Sequence, residues 1–80
     1  MHQGDVVLSI SGRDRNTLLA VVREDEKFIY VCDGKARPLL NPKRKNPRHV
    51  RDLNFRLSEA EMHSDKSLRK ALAIAKSEIM

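Results

Sequence analysis

The chain has 80 residues, of which 16 are Lys or Arg and 11 are Asp or Glu, so its formal net charge is +5. A chain of this length forms one domain with a thin core, which leaves little room for a deep active-site pocket. The single cysteine, Cys32, excludes an intramolecular disulfide and a multi-cysteine zinc site, and the surplus of positive charge favours a polyanionic partner, either nucleic acid or an acidic membrane face.

Five segments in the first two thirds of the chain have the alternation or the β-branched content of strands: residues 5–11, 17–23, 28–32, 37–40 and 50–55. In the first of them Val6, Leu8 and Ile10 share one face. The turn at 12–16 suits a tight hairpin, because Gly12 can take a positive φ and Asn16 tolerates one. Asp33 and Gly34 form a second hairpin-turn signal.

Residues 35–51, called here the basic segment, contain seven Lys or Arg residues, no acid and all three prolines. Because proline lacks a backbone donor and opposes helix, we expect this segment to form an extended or looped arm. A solvated charged loop is the plainer interpretation, although such loops usually mix both signs of charge. A membrane tether would need a second anchoring signal, and neither that nor an apolar secretory or membrane-spanning run is evident, so we expect a cytoplasmic protein.

The last third of the chain changes to helical spacing. Ser58 and Glu61 fit a capping box, and Ser64–Asp65 offers a second helix start. A helix over residues 65–78 carries a narrow apolar stripe, which we expect to dock on its own domain rather than on a partner. Its members are Leu68, Leu72, Ala75 and Ile79. The predicted organisation is a small barrel over residues 1–56, including the basic segment, and a helical extension over 57–80.

The stretch GDVVLSISGRDR at residues 4–15, with LAVV at 19–22, resembles the KOW motif of ribosomal proteins and transcription elongation factors. Gly12 matches the central glycine of that motif, whereas Asn16 stands where many members have a second glycine. Residues 33–50 extend the resemblance to the KOW-type large-subunit ribosomal proteins of archaea and eukaryotes and to their short bacterial relatives. The resemblance implies an SH3-like β-barrel whose charged turn contacts RNA.

Charge and resemblance together predict a non-enzymatic protein that binds structured ribosomal RNA through phosphates and shape, in a ribosomal or translation-associated role. Phe28 and Tyr30 share one strand face and are expected in the core, which argues against reading of single-stranded bases. We expect charge reversal of residues 43–45 to abolish binding. The predicted RNA-binding residues are Arg13, Arg15, Lys35, Arg37, Lys43, Arg44, Lys45, Arg48, His49 and Arg51.

The alternative function is a protein-interaction module, free as a monomer, that acts on ribosomal proteins or on the transcription machinery. We expect no enzymatic activity, no cofactor and no metal site, because no nucleophile motif is present and the histidines are scattered. Cys32 closes an apolar strand, so a buried and inert thiol is expected.

Overall fold

The computed structural model describes residues 1–79 and shows a mainly β protein with a C-terminal helix. All strand pairs are antiparallel, in the order β4-β3-β2-β1-β5. Strands β4 and β5 are therefore the edges of one sheet, and the sheet is not closed into a barrel. The elements are β1 (Asp5–Ser9), β2 (Leu18–Glu24), β3 (Ile29–Cys32), β4 (Lys43–Lys45), a 3-10 turn (Pro47–His49), β5 (Val50–Arg56) and α1 (Asp65–Ile79).

Apolar side chains are buried on both faces of the sheet, because residues adjacent in a strand point to opposite sides. One face carries a cluster made only of strand residues: Val7, Leu19, Val21, Ile29, Val31 and Val50. The other face packs against α1 and the segment before it: Val6, Leu18, Ala20, Cys32, Leu57, Met62, Leu68, Ala71, Leu72 and Ala75. The predicted docking of the helix stripe on its own domain is thus confirmed.

The first residue of the predicted helical extension packs in the same core as the strands. Leu57 is 4% exposed and belongs to the same core cluster as α1, and its amide donates a hydrogen bond to the Gly4 carbonyl at 2.8 Å. The helical extension therefore contributes one wall of the core that the strands share.

The strand predicted at residues 37–40 is wrong. The Asn41 amide donates to the Pro38 carbonyl in a turn, and the Leu39 amide donates to the Asp65 carboxylate at 2.8 Å. These amides are directed away from a ladder, so the fourth strand forms later, at Lys43–Lys45, where it pairs with β3. The basic segment is accordingly not a free arm, since part of it belongs to the sheet.

The two helix-start signals have different outcomes. Ser58 and Glu61 do form the reciprocal capping-box hydrogen bonds, at 2.9 and 3.2 Å, but these close an isolated turn. The helix begins at Asp65, where the Ser64 hydroxyl accepts the Ser67 amide at 3.1 Å as an N-cap. Within residues 1–79, no helix has both the length and the apolar character needed to cross a bilayer.

Candidate nucleic-acid interface

The turn between β1 and β2 adopts the backbone that its sequence predicts. Gly12 has a φ of +89° and Asn16 a φ of +70°, so the asparagine takes the left-handed backbone that the sequence indicated it could tolerate. The Asn16 amide donates to the Ser9 carbonyl at 2.7 Å, and the Thr17 amide donates to the Asp14 carbonyl at 3.0 Å. These bonds hold the turn in one shape and present Arg13 and Arg15 to solvent.

Asp14 fastens this turn to the edge strand β4. One of its carboxylate oxygens accepts hydrogen bonds from the Ser9 hydroxyl and the Lys45 ammonium, each at 2.8 Å, and the other accepts from the Lys43 ammonium at 3.2 Å. Burial raises the pKa of Asp14, but hydrogen bonds from Lys45, Ser9 and Lys43 outweigh that effect and hold the pKa far below its ordinary value. The carboxylate is therefore charged, and both of its oxygens accept hydrogen bonds from other side chains of the protein.

The same contacts bring the turn beside the basic segment, a proximity that the sequence left open. In addition, the Ile10 amide donates to the His49 carbonyl at 2.9 Å, which ties the end of β1 to the 3-10 turn. We call the resulting surface the turn-side surface. Its exposed side chains are Arg13, Arg15, Arg48, His49 and Arg51.

Strand geometry splits the three consecutive basic residues of β4. Lys43 and Lys45 pair with Val31 and Ile29, on the face that points toward Asp14, whereas Arg44 points to the opposite face. Lys45 is 6% exposed, and its ammonium also donates to the Ser11 carbonyl. Its prediction as a phosphate contact is corrected, because its charge is already committed inside the fold.

Because these lysines have a structural role, charge reversal of residues 43–45 is not a usable test of binding. Charge reversal at Lys45 would bury a second carboxylate beside Asp14, so loss of binding in a variant reversed at all of residues 43–45 would report unfolding. Variants that test binding must keep Lys45.

The prediction that Phe28 and Tyr30 lie in the core is wrong. Phe28 and Tyr30 are half-buried and belong to neither core cluster. The Arg23 guanidinium lies over the Tyr30 ring at 3.9 Å from its centroid, and the Arg44 guanidinium lies over the Phe28 ring at 4.7 Å. Helix α1 covers the sheet face near Cys32 but leaves the Tyr30 end of that face to these arginines.

Lys35 and Arg37 are not part of the turn-side surface; they belong to the loop that follows β3. The Asp33 carboxylate accepts their two backbone amides at 2.8 and 2.9 Å, which closes the loop. Lys35 is exposed, and Arg37 is half-buried. The ten predicted contacts therefore form one continuous surface only in part.

A groove of about 440 Å³ contains basic residues that the sequence prediction did not include, namely Arg69 and Lys76 of α1. Their spacing of seven residues was a usable signal, because positions i and i+7 lie on one face of a helix. The groove also contains Lys35 and Asn16, so it begins at the end of the turn.

The Cys32 thiol and the possible metal ligands do not form a reactive site in the part of the chain that the structure describes. Cys32 is fully buried, and its thiol donates to the Pro38 carbonyl. Burial raises the pKa of this thiol to about 11, with the nearby Asp65 and Asp33 carboxylates adding to the shift. Among residues 1–79, no group of three or more His, Cys, Asp or Glu side chains is arranged to hold a metal ion.

In comparisons with known proteins, the chain matches no protein-family model and no curated protein sequence.

Proposed function

We propose that the protein is a non-enzymatic RNA-binding protein that contacts structured RNA, ribosomal RNA above all, through phosphate and shape. The observation that carries the proposal is the turn-side surface. Arg13 and Arg15 are exposed on the turn, Arg48 and Arg51 are exposed on either side of the His49–Val50 segment that the Ile10 amide ties to the end of β1, and the acid of the turn, Asp14, is paired with two lysines. Exposed arginines and lysines neutralise backbone phosphates and release counterions, which supplies most sequence-independent affinity.

The finer fold proposal is an SH3-like barrel of the KOW type. Five antiparallel strands with a short basic turn between the first two support it. Register shifts after Val6 and after Val21 add local twist and bending, which a strongly curved sheet requires. The KOW proposal otherwise rests on the residues of the motif, with Gly12 and Asn16 in the left-handed backbone that a tight hairpin needs.

Paired RNA is the better ligand because the surface favours phosphates over bases. Tyr30 and Phe28 are accessible, but each ring already has a guanidinium stacked on it, from Arg23 and Arg44 respectively. A nucleobase would have to displace an arginine to use those faces. The turn-side surface, by contrast, presents four arginines and no Phe, Tyr or Trp side chain, which suits the sugar-phosphate edge of an A-form helix.

The biological setting that we propose is a ribosomal or translation-associated role in the cytoplasm. The protein would act as a monomer when free and would meet ribosomal proteins on the assembled particle. No cofactor is required for such a role, because phosphate recognition here depends on side-chain charge alone.

The proposal is tested by binding of a fluorescently labelled RNA stem-loop across a salt series. Two double variants, Arg13→Glu with Arg15→Glu and Arg48→Glu with Arg51→Glu, each remove two phosphate contacts. For each we expect affinity to fall at least about tenfold and the slope of log affinity against log salt to become shallower by about 1.4 to 1.8.

The matched control is Lys66→Glu with Lys70→Glu, which makes the same change in net charge on exposed positions of α1. We expect this control to change affinity much less than either arginine variant. Binding that is insensitive to salt, or equal losses in all three variants, would contradict recognition by the turn-side surface.

A second candidate function, a protein-interaction module, is favoured by one observation. Leu40 is 99% exposed in the loop between Pro38 and Pro42, where it is free to insert into an apolar pocket of a partner. The helix stripe cannot serve this role because it is buried against the sheet. Purification of the tagged protein before and after nuclease treatment separates the two candidates. RNA released by nuclease supports the first, and a stoichiometric protein that survives nuclease supports the second.

A further inference from the structure

The groove that contains Arg69 and Lys76, called here the helix groove, lies where three elements meet. Its floor includes Leu18 of β2 and Leu72 of α1, both 6% exposed. One wall comes from the end of the β1–β2 turn, another from the loop after β3, and the third from one face of α1. The residues that line it are Asn16, Thr17, Leu18, Asp33, Lys35, Arg69, Leu72, Ala73 and Lys76.

The loop after β3 is fixed against α1 by close backbone packing. Gly34 has a φ of +78°, and a Cβ placed on it would lie 2.5 Å from the Asp65 carbonyl oxygen, so only glycine permits this approach. Arg69 donates from its guanidinium to the Gly34 carbonyl at 2.6 Å, and the Leu39 amide donates to the Asp65 carboxylate at 2.8 Å. The walls of the helix groove therefore keep a fixed spacing.

The charge of the helix groove favours an anionic ligand. Lys35, Arg69 and Lys76 are exposed on its rim, against one carboxylate, Asp33. That carboxylate is turned to the loop backbone, since one of its oxygens accepts the Lys35 and Arg37 amides. The other basic residues in the middle of α1, Lys66 and Lys70, do not line the groove, so its cations are a distinct subset of the helix.

The helix groove is continuous with the turn that carries Arg13 and Arg15. Asn16 closes that turn and also lines the groove, so a ligand on the turn needs only to continue past Asn16 to reach Lys35 and Lys76. An RNA backbone, which carries a phosphate at every nucleotide, suits cations that lie on both sides of Asn16.

We propose that the helix groove binds the phosphodiester backbone of a further segment of the same RNA, so that α1 forms part of the RNA interface. This inference rests on the proposed function. It adds Arg69 and Lys76 to the residues that contact RNA phosphates, and it assigns Lys35 to the helix groove. Arg69 is held by its bond to Gly34, so its guanidinium serves as a fixed contact, whereas the two lysines adapt to the phosphates.

The test compares matched lysines on one helix with the labelled RNA stem-loop. Lys76→Ala removes a groove cation, and Lys70→Ala removes an exposed lysine of the same helix that lies outside the groove. We expect Lys76→Ala to make the salt slope shallower by about 0.7 to 0.9, and Lys35→Ala with Lys76→Ala by about 1.4 to 1.8, with roughly tenfold weaker binding or more at about 0.1 M salt. Lys70→Ala and Lys66→Ala with Lys70→Ala should retain the wild-type slope.

A second readout does not depend on substitution. Amine-reactive footprinting of the wild-type protein should show that RNA protects Lys35 and Lys76 while Lys66 and Lys70 keep their reactivity. Equal slopes for Lys76→Ala and Lys70→Ala, or unchanged reactivity of Lys76, would overturn the groove site even where the turn-side variants weaken binding. If the wild-type protein binds no RNA at all, the proposed function fails, and the groove inference fails with it. Protection of Lys76 by an acidic polypeptide but not by RNA would assign the groove to a protein partner and reject the RNA site.

Discussion

Replacement of Asp14 by alanine should destabilise the fold severely, because it leaves the buried Lys45 ammonium without a counter-charge. The Lys45 side chain is 5% exposed and that of Asp14 is 21% exposed. Removal of one partner from a buried ion pair costs about 3–5 kcal/mol, and the residual exposure of Asp14 places this case near 3 kcal/mol. The total stability of an 80-residue domain is about 4–12 kcal/mol, so the loss takes a quarter of it or more.

The assay is thermal and urea unfolding followed by circular dichroism. A loss of about 3 kcal/mol should lower the Tm by roughly 12–24 °C in a domain of this size. The control Glu26→Ala changes an exposed carboxylate and should alter stability by no more than about 0.5 kcal/mol. The double variant Asp14→Ala with Lys45→Met should be more stable than Asp14→Ala alone, because it removes the unpaired charge. A loss below about 1 kcal/mol for Asp14→Ala would refute the argument, since Lys45 would then reach solvent at little cost.

The same pair makes stability depend on pH in a defined direction. The pKa of Asp14 is lowered by folding from its ordinary value of 3.8, so its stabilising contribution is complete above about pH 4 and is lost as pH falls. The pKa of Asp5 is also lowered: burial raises it, but the His2 amide and Arg56 outweigh that effect. Wild-type stability should therefore decline below about pH 4, and the difference between wild type and Asp14→Ala should narrow there. A constant difference from pH 7 down to about pH 2 would contradict the assignment.

Three further predictions concern the fold. In urea unfolding, Gly34→Ala should destabilise the protein more than Gly12→Ala. Both positions have a positive φ, at which alanine costs about 1–2 kcal/mol, but only at Gly34 does the new Cβ also clash with backbone. Equal losses of stability would argue against close packing of the loop on α1. Cys32 should react with iodoacetamide only at the rate of unfolding, because its thiol is buried with a pKa of about 11, and rapid labelling of the folded protein would contradict this. Ser64→Ala should lower the free energy of unfolding by about 1 kcal/mol through loss of the N-cap, whereas Ser58→Ala should change it little. A larger loss for Ser58→Ala than for Ser64→Ala would contradict a helix start at Asp65.

The sequence predicted the strands whose burial follows an apolar pattern and missed the one whose burial is ionic. The alternation around Val6 and the apolar run around Val21 located β1 and β2 to within about two residues at either end. Strand β4 reads Lys-Arg-Lys, and its inward side chains are buried by pairing with Asp14, which lies 29 residues from the nearer lysine in the chain. No local pattern could reveal that partner.

The candidate site shows the same limit. Period-two alternation placed Phe28 and Tyr30 on one face, but whether that face is covered depends on where α1 lies. The sequence left open whether the turn lies near the basic segment, and the contacts of Asp14 with β4 now show that it does. Once β4 is known to be a strand, the division of its basic residues between two faces follows directly.

The open edges of the sheet have a consequence for solubility. An unpaired strand edge is a template for pairing with another copy, and natural proteins protect such edges with charge, proline and irregular backbone. Strand β4 has only three residues and lies between Pro42 and Pro47, while β5 carries Arg51 and Arg56 and a positive φ at Asn54. The exposed Arg44 of β4 and Arg51 of β5 add like charges to these edges, which repel a second copy of the sheet. Exposed cationic residues in these strands therefore oppose edge-to-edge pairing of copies of the chain, a role separate from the proposed contacts with RNA.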